Sequence, residues 1–166
     1  IMGYLHINNL YRDPTVLMFK KVFVLEKIHG TSTHISWNDG KLGFFAGGCS
    51  YESFKALFDE ASLTEKFKAL GHDKVTVYGE GYGGKMQGMS KTYGTNLKFI
   101  AFDVKIGDVW LDVPNMFDVA FSKLGLETVW FSKVAADVET LNRFRDMYSQ
   151  QASREGMGEH PSEGVV

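Results

Sequence analysis

The turn Asn38-Asp39-Gly40 limits the fold of this chain more than any other stretch. It joins Thr31–Trp37, which alternates and is rich in β-branched residues, to the run Lys41–Phe45. A turn of that composition between two β-forming runs makes a hairpin, so these two strands pair antiparallel. A compact β-rich run, Lys21–Glu26, precedes them and ends at Gly30; Lys74–Tyr78, Leu97–Val104 and Val109–Val113 read as further strands. Between Phe54 and Leu70, apolar residues recur at 54, 57, 58, 61, 67 and 70, with Ser53 as N-cap and Gly71 as stop. That spacing predicts an amphipathic helix, broken near Ser62. A second helix is expected from Asn115 to Leu124, after Pro114 and closed by Gly125. A third is expected from about Ala135 to Gln151, with Leu141, Phe144 and Met147 or Tyr148 on one face. The sequence has no internal repeat, low-complexity stretch or linker, and the order of elements is α+β with mostly antiparallel strands.

Composition narrows the function classes. The 166 residues fit one domain with a real core, and 14% aromatic with 23% charged residues is not the signature of a disordered chain. The single cysteine, Cys49, excludes a disulfide framework and a multi-Cys zinc site, and fits a reducing compartment. The apolar runs are too short to span a bilayer, and no signal peptide is visible, so an intracellular, cytoplasmic location (host or phage-infected cell) and no membrane partner are expected. The net charge of −2 argues against wholly electrostatic nucleic-acid binding. It hides a strip of Lys85, Lys91, Lys98 and Lys105 opposed only by Asp103, while residues 111–166 carry 5 basic and 9 acidic side chains.

Gly79 to Lys85 matches both G-x-G-x-x-G and G-x-x-x-x-G-K. Neither phosphate-binding reading holds. A P-loop needs Ser or Thr next, where this chain has Met86, and both motifs need a helix whose N-terminus meets the phosphates. The following residues read as loop, and Glu80 puts a negative charge inside the supposed cradle. What remains is a strand ending in a carboxylate. Elsewhere, His6, His34, His72 and His160 show no ligand spacing and read as surface residues, with His34 the one that could line a cleft; Cys49 reads as inert.

Lys27 follows an apolar strand and precedes Ile28, His29 and Gly30. Apolar flanks predict a partly desolvated amine, and an unprotonated lysine is a nucleophile. Gly30 lets the backbone pass close to whatever Lys27 attacks.

Lys27-Ile28-His29-Gly30 resembles the K-x-x-G nucleotidyl-acceptor motif of the covalent nucleotidyltransferases, the ATP-dependent ligases and capping enzymes. Glu26 and Thr31 make the stretch most similar to nick-sealing RNA ligases of phage and kinetoplastid type. Val77-Tyr78-Gly79-Glu80-Gly81, Phe99–Val104 and Glu163–Val166 resemble the family's third, adenine-stacking and fourth motifs, in the family's order. The resemblance covers residues 21–166. It implies an ATP-grasp-like ligase domain, with two mainly antiparallel sheets and flanking helices around a nucleotide cleft. It also implies that Lys27 attacks the α-phosphorus of ATP to form lysyl-AMP, with Mg2+ or Mn2+ as cofactor. Glu163 and Glu80 would be the further catalytic residues, orienting the metal, the lysine or the ribose hydroxyls. Phe102 would stack on the purine, Glu26 would contact the adenine edge, and Ile28, His29 and Gly30 would complete the nucleotide site, His29 at a phosphate or the second substrate. Asp103 is read as structural. The partners implied are ATP and RNA ends or a nicked duplex, with the protein a monomer.

Two departures accompany this likeness. The stretch Phe44–Cys49 lacks the arginine that phage-type ligases carry there, and the chain stops before the family's fifth motif, a strand with two lysines. The expectation is therefore a single adenylyltransferase domain, residues 1–166, truncated before that last lysine motif. Its reaction would be adenylylation of Lys27, AMP transfer to an RNA 5′-phosphate and strand sealing. The alternatives are a DNA ligase, a GTP-using capping-type nucleotidyltransferase, or a non-catalytic RNA-end-binding module.

Overall fold

Alternation along strand β1 (Lys21–Lys27) buries Val24 and Glu26 and leaves Lys21 and Lys27 exposed. That strand anchors the first of two compact units in the computed structural model, which describes residues 3–166. Unit 1 comprises the chain up to Ile28 together with Val129–Val166, and unit 2 is His29–Thr128.

In unit 1, β1 is the centre of a three-stranded antiparallel sheet, between β7 (Phe131–Ala135) and β8 (Gly164–Val165). The helix expected over 135–151 is divided differently. Ala135 closes β7, and two short helices follow, α5 (Val138–Arg145) and α6 (Gln150–Arg154). Asp137 and Ser149 cap their first turns by accepting from the amides of Thr140 and Ala152. Between the helices the chain leaves helical geometry because Tyr148 bridges to Pro161 and the Ser149 amide donates to the His160 carbonyl. Trp130 stacks on Phe144 at 5.9 Å, which fixes α5 beside β7.

Unit 2 is built on a five-stranded antiparallel sheet in the order β3-β2-β4-β5-β6. These are β2 (Thr31–Asn38), β3 (Lys41–Ala46), β4 (Lys74–Tyr82), β5 (Lys98–Ile106) and β6 (Val109–Trp110). The expected hairpin is present, Asn38 facing Lys41, with Asp39 and Gly40 at φ 47° and 81°. Positive φ at both central residues gives the turn the twist that a two-residue hairpin needs. One face of the sheet buries Ile35, Trp37, Val75, Val77 and Val104. Helices α1 (Tyr51–Lys55) and α2 (Glu60–Leu70) supply the core partners, Phe67 stacked on Trp37 at 5.8 Å and Phe54 edge-on to Phe44 at 6.1 Å. These aromatic pairs add roughly 0.5–1.5 kcal/mol each beyond the area they bury. The other face carries Ser32, His34, Tyr78, Glu80 and Asp103, which sit in register with one another.

The helix expected over 54–70 is two helices with a break at residues 56–59, upstream of Ser62, because Ser50 and Asp59 each cap a new start. Gly71 at φ 74° ends α2 as expected. After β6, a five-residue helix begins where the strand was expected to continue to Val113. Asp112 caps it, so β6 stops at Trp110 and α4 (Val113–Phe117) begins earlier than expected, with Pro114 in its first turn. It runs on through a π-helical stretch, Asp118–Lys123, and the chain turns at Gly125 with φ 68°. The last short helix of unit 2, α3 (Ser90–Tyr93), lies between β4 and β5.

Candidate active site

The register of the small sheet brings two distant charges together in unit 1. Lys27 pairs with Gly164 and Glu26 with Val165, so Glu163 arrives beside Lys27 across 136 residues of sequence. Lys27 Nζ donates to Glu163 Oε1 at 2.7 Å. The desolvation expected of Lys27 is absent, since its side chain is 53% exposed. Strand alternation is the reason: the apolar neighbours Val24 and Ile28 face the interior with Glu26, and Lys27 points the other way. The amine is thereby left open to solvent, and the Glu163 carboxylate orients it.

Glu26 is the inverse case, an acid only 4% exposed. Ser149 Oγ donates to Glu26 Oε1, and the Gln151 amide donates to Oε2 at 3.0 Å. Burial pushes its carboxyl above the usual carboxylate range, opposed in part by those two hydrogen bonds. Both oxygens therefore engage the start of α6, tying that helix to the strand that carries Lys27.

In unit 2 the His29–Gly30 turn is packed against the end of β4. A side chain at Gly30 would place its Cβ 2.2 Å from the Gly81 carbonyl oxygen and 3.0 Å from Glu80 Cγ, so only glycine fits beside that strand. Two hydrogen bonds hold the turn from the loop after β4. Tyr93 Oη accepts from the His29 amide at 3.3 Å, and Gln87 Nε2 donates to the Gly30 carbonyl at 3.3 Å. Tyr93 is itself buried edge-on against Tyr82 at 5.5 Å, and Gln87 sits at φ 53°, a conformation costly for a non-glycine residue. Thr31 Oγ1 accepts from the Gly48 amide at 2.7 Å, folding the end of the hairpin over the motif. Ile28, at the end of unit 1, is buried.

Gly79 and Gly81 lie inside β4 rather than in a phosphate loop, so the Gly79–Lys85 stretch has sheet geometry through Tyr82. Glu80 faces Ser32 on one side and Ile100 on the other. The β4–β5 register slips there: Tyr78 pairs with Asp103 but Gly79 pairs with Ala101. Phe102 is thus the extra residue of a β-bulge, half-buried between two paired neighbours. Bulges re-aim a side chain and increase local twist. Gly79 makes room for this bend, since a Cβ there would lie 2.3 Å from the Ile100 carbonyl oxygen. Asp103 Oδ1 accepts from the Val104 amide, consistent with a structural role.

His34 differs from its sequence reading. It is 2% exposed, stacked on Phe45 at 4.8 Å, and its buried Nδ1 has no hydrogen-bond partner in the protein. Burial lowers its basicity below the usual histidine range. The alternation that predicts a strand over 31–37 puts His34 on the face of Tyr78 and Glu80, and only the pairing shows that this face is covered. His6 and His72 are exposed, and His160 is half-buried. Burial raises the Cys49 thiol, so it is not an activated nucleophile. Phe45 occupies the stretch in which an arginine was expected.

Among the described residues no group of three His, Cys, Asp or Glu side chains gathers as a metal cage. Magnesium and manganese need no such cage beside a nucleotide, since one or two carboxylates plus phosphates and waters suffice. Glu163, exposed in unit 1, and Glu80, half-buried in unit 2, are each a carboxylate of the type such ions take. A groove of about 390 Å³ in unit 2, lined by Phe58, Leu63, Lys66, Leu97, Leu126 and Glu127 among others, contains none of the candidate residues. No helix among the described residues is long and apolar enough to cross a membrane.

Known proteins resemble this chain in sequence profile and in fold. The sequence profile described as RNA ligase matches residues 20–166. No curated protein matches the sequence. The fold is similar to a Naegleria gruberi RNA ligase variant solved with ATP and manganese, at TM-score 0.71 and 15% identity, covering 92% of this chain and 48% of that one. A second variant of the same ligase, with AMP and manganese, matches at TM-score 0.68 and 14% identity over 92% of this chain and 48% of that one. The same ligase with pyrophosphate matches at TM-score 0.70 and 15% identity with the same coverage, 92% and 48%. The chain thus spans about half the length of the solved structures it resembles.

Proposed function

The chain belongs to the RNA ligase family, and from that premise we propose that it is the adenylyltransferase portion of an ATP-dependent RNA ligase. The observation that carries this reading is the 2.7 Å contact of Lys27 Nζ with Glu163 Oε1, because it joins the lysine of the K-x-x-G motif to the glutamate of the fourth motif. In-line attack needs a lone pair on Nζ, so the proton in that hydrogen bond is the one to be lost, and Glu163 is its neighbour. The N–P bond forms at the α-phosphorus as the bond to the pyrophosphate oxygen breaks, leaving AMP on Lys27. Transfer to an RNA 5′-phosphate then makes a 5′–5′ anhydride and frees the lysine. Attack by a 3′-hydroxyl on the activated 5′-phosphate expels AMP and leaves a phosphodiester.

The remaining residues divide the work. Phe102, re-aimed by its bulge, offers a face for the purine. Gly30, where a Cβ would strike the Gly81 carbonyl, keeps the turn after Lys27 packed on the end of β4. Glu163 and, separately, Glu80 would each offer a carboxylate to a divalent cation, which when bound neutralises charge on the phosphates. Glu26 contributes by fixing β1 to α6, which supports the lysine from behind. Naegleria gruberi RNA ligase, solved with ATP, AMP and pyrophosphate, is the relative whose ligands match this sequence of steps. The test is sealing by the full-length protein with ATP and magnesium. Joining of a nicked RNA duplex, and not of the DNA equivalent, is expected; joining of DNA alone, or dependence on GTP, overturns the reading.

A further inference from the structure

Residues 83–97 leave the sheet between β4 and β5 and return to it, closed at the neck by the Gly84 amide donating to the Gly94 carbonyl at 2.9 Å. Compact loops with pinned ends are frequently functional. The charge of this one is segregated. From Gly83 to Leu97 there are two lysines and no acid, while the rest of unit 2 carries eight lysines against twelve acidic residues. Within a net-acidic unit, this excursion is a stretch of net positive charge. Lys85 and Lys91 are both exposed, and neither forms an ion pair among the described residues. The other exposed residues, Gln87, Thr95 and Asn96, are uncharged hydrogen-bonding groups.

The loop is tied to the candidate site by named bonds. Gln87 donates to the Gly30 carbonyl and Tyr93 accepts from the His29 amide, both at 3.3 Å. Whatever Lys85 and Lys91 hold is therefore held beside the turn that follows the nucleophile. Point-charge ammonium groups on flexible stems, free of internal carboxylates, suit the backbone phosphates of a polyanion.

We propose that the 83–97 loop is an RNA-backbone contact element, with Lys85 and Lys91 taking phosphates of the strand to be joined. The inference rests on the ligase reading for its choice of RNA, and it names the surface that this reading leaves unassigned. Contacts of this kind are sequence-independent and position the substrate.

The test is equilibrium binding of a nicked RNA duplex with a 5′-phosphate to the full-length protein over a salt series, without ATP. The double variant K85A/K91A is compared with wild type and with K41A/K74A, which removes the same charge from the far end of β3 and β4. K85A/K91A is expected to bind roughly ten- to a hundred-fold more weakly, with the slope of log affinity against log salt shallower by about two. K41A/K74A is expected to keep the wild-type slope. An unchanged slope in K85A/K91A, equal losses in both double variants, or no RNA binding by wild type overturns the proposal. Because no covalent step enters this measurement, its result stands apart from whether Lys27 becomes adenylylated.

Discussion

The two units hold their candidate residues in opposite ways. Unit 1 carries Lys27 on β1 and Glu163 just before β8, a strand of only two residues, and the hydrogen bonds that Glu26 accepts from the Ser149 hydroxyl and the Gln151 amide secure β1. Unit 2 carries Glu80 and Phe102 on long strands and Gly30 in the turn before β2, where backbone register and close packing fix the geometry. The proposed reactive groups thus rest on a lightly built element with one buried polar anchor. The proposed recognition groups rest on or beside a sheet that tolerates no added atom at its tightest points.

The largest effect is expected where unit 2 is tightest. Gly30→Ala pushes a methyl into the Gly81 carbonyl, and overpacking of that kind costs about 1–3 kcal/mol. The turn after the nucleophile moves with it, so adenylylation is expected to fall by at least ~100-fold while unit 2 melts earlier; normal activity would show that the close approach is not needed. Next comes the anchor of unit 1. Glu26→Ala leaves the Ser149 hydroxyl and the Gln151 amide unpaired, each worth on the order of 1–3 kcal/mol when buried. Denaturant midpoints report that loss.

Glu26 also gives unit 1 a pH signature. Its carboxyl is raised in the folded state, so the folded protein binds more protons than the unfolded chain above the ordinary value of 4.5. The stability tied to Glu26 is full below that value and is lost as pH rises through the folded pKa. Glu26→Gln is therefore expected to gain on wild type as pH climbs from about 4.5; parallel curves would contradict the assignment. A smaller and more selective effect is expected at the bulge. Phe102→Ala removes a stacking face worth about 1–3 kcal/mol, so KM for ATP rises roughly ten- to a hundred-fold with kcat little changed. The smallest change is expected from Gln87→Gly, which deletes one exposed 3.3 Å hydrogen bond and relieves a positive φ. Adenylylation slows a few-fold, without a loss of melting temperature.

Much of this was legible in the sequence because its signals are local. The Asn38–Gly40 hairpin, the stop at Gly71, and the alternation through β1 and β2 all follow from short-range geometry. Misreadings occurred where pairing between distant segments decides. Nothing near Ala135 announces that Phe131–Ala135 pairs with β1, or that Tyr148 leaves the helix to meet Pro161. Lys27 was expected to be desolvated because its sequence neighbours are apolar, yet strand alternation sends those neighbours to the other face. His34 was read as a surface or cleft-lining residue because it has no ligand spacing to another histidine, and its burial depends on Phe45 and Tyr78 from two other strands. The bulge at Phe102 is a register property that no single segment encodes. Gln87 carries no local signal at all, since its role is a contact with Gly30, 57 residues away.

The central claim is that Lys27 is the nucleophile and that Glu163 orients it. The most direct measurement incubates the full-length protein with α-labelled ATP and magnesium, then maps the covalent label by peptide mass analysis. One AMP on Lys27 is expected, none in Lys27→Ala, and a rate at least ~100-fold lower in Glu163→Gln with its fold intact. AMP on a different residue, or undiminished labelling in Glu163→Gln, would contradict the account.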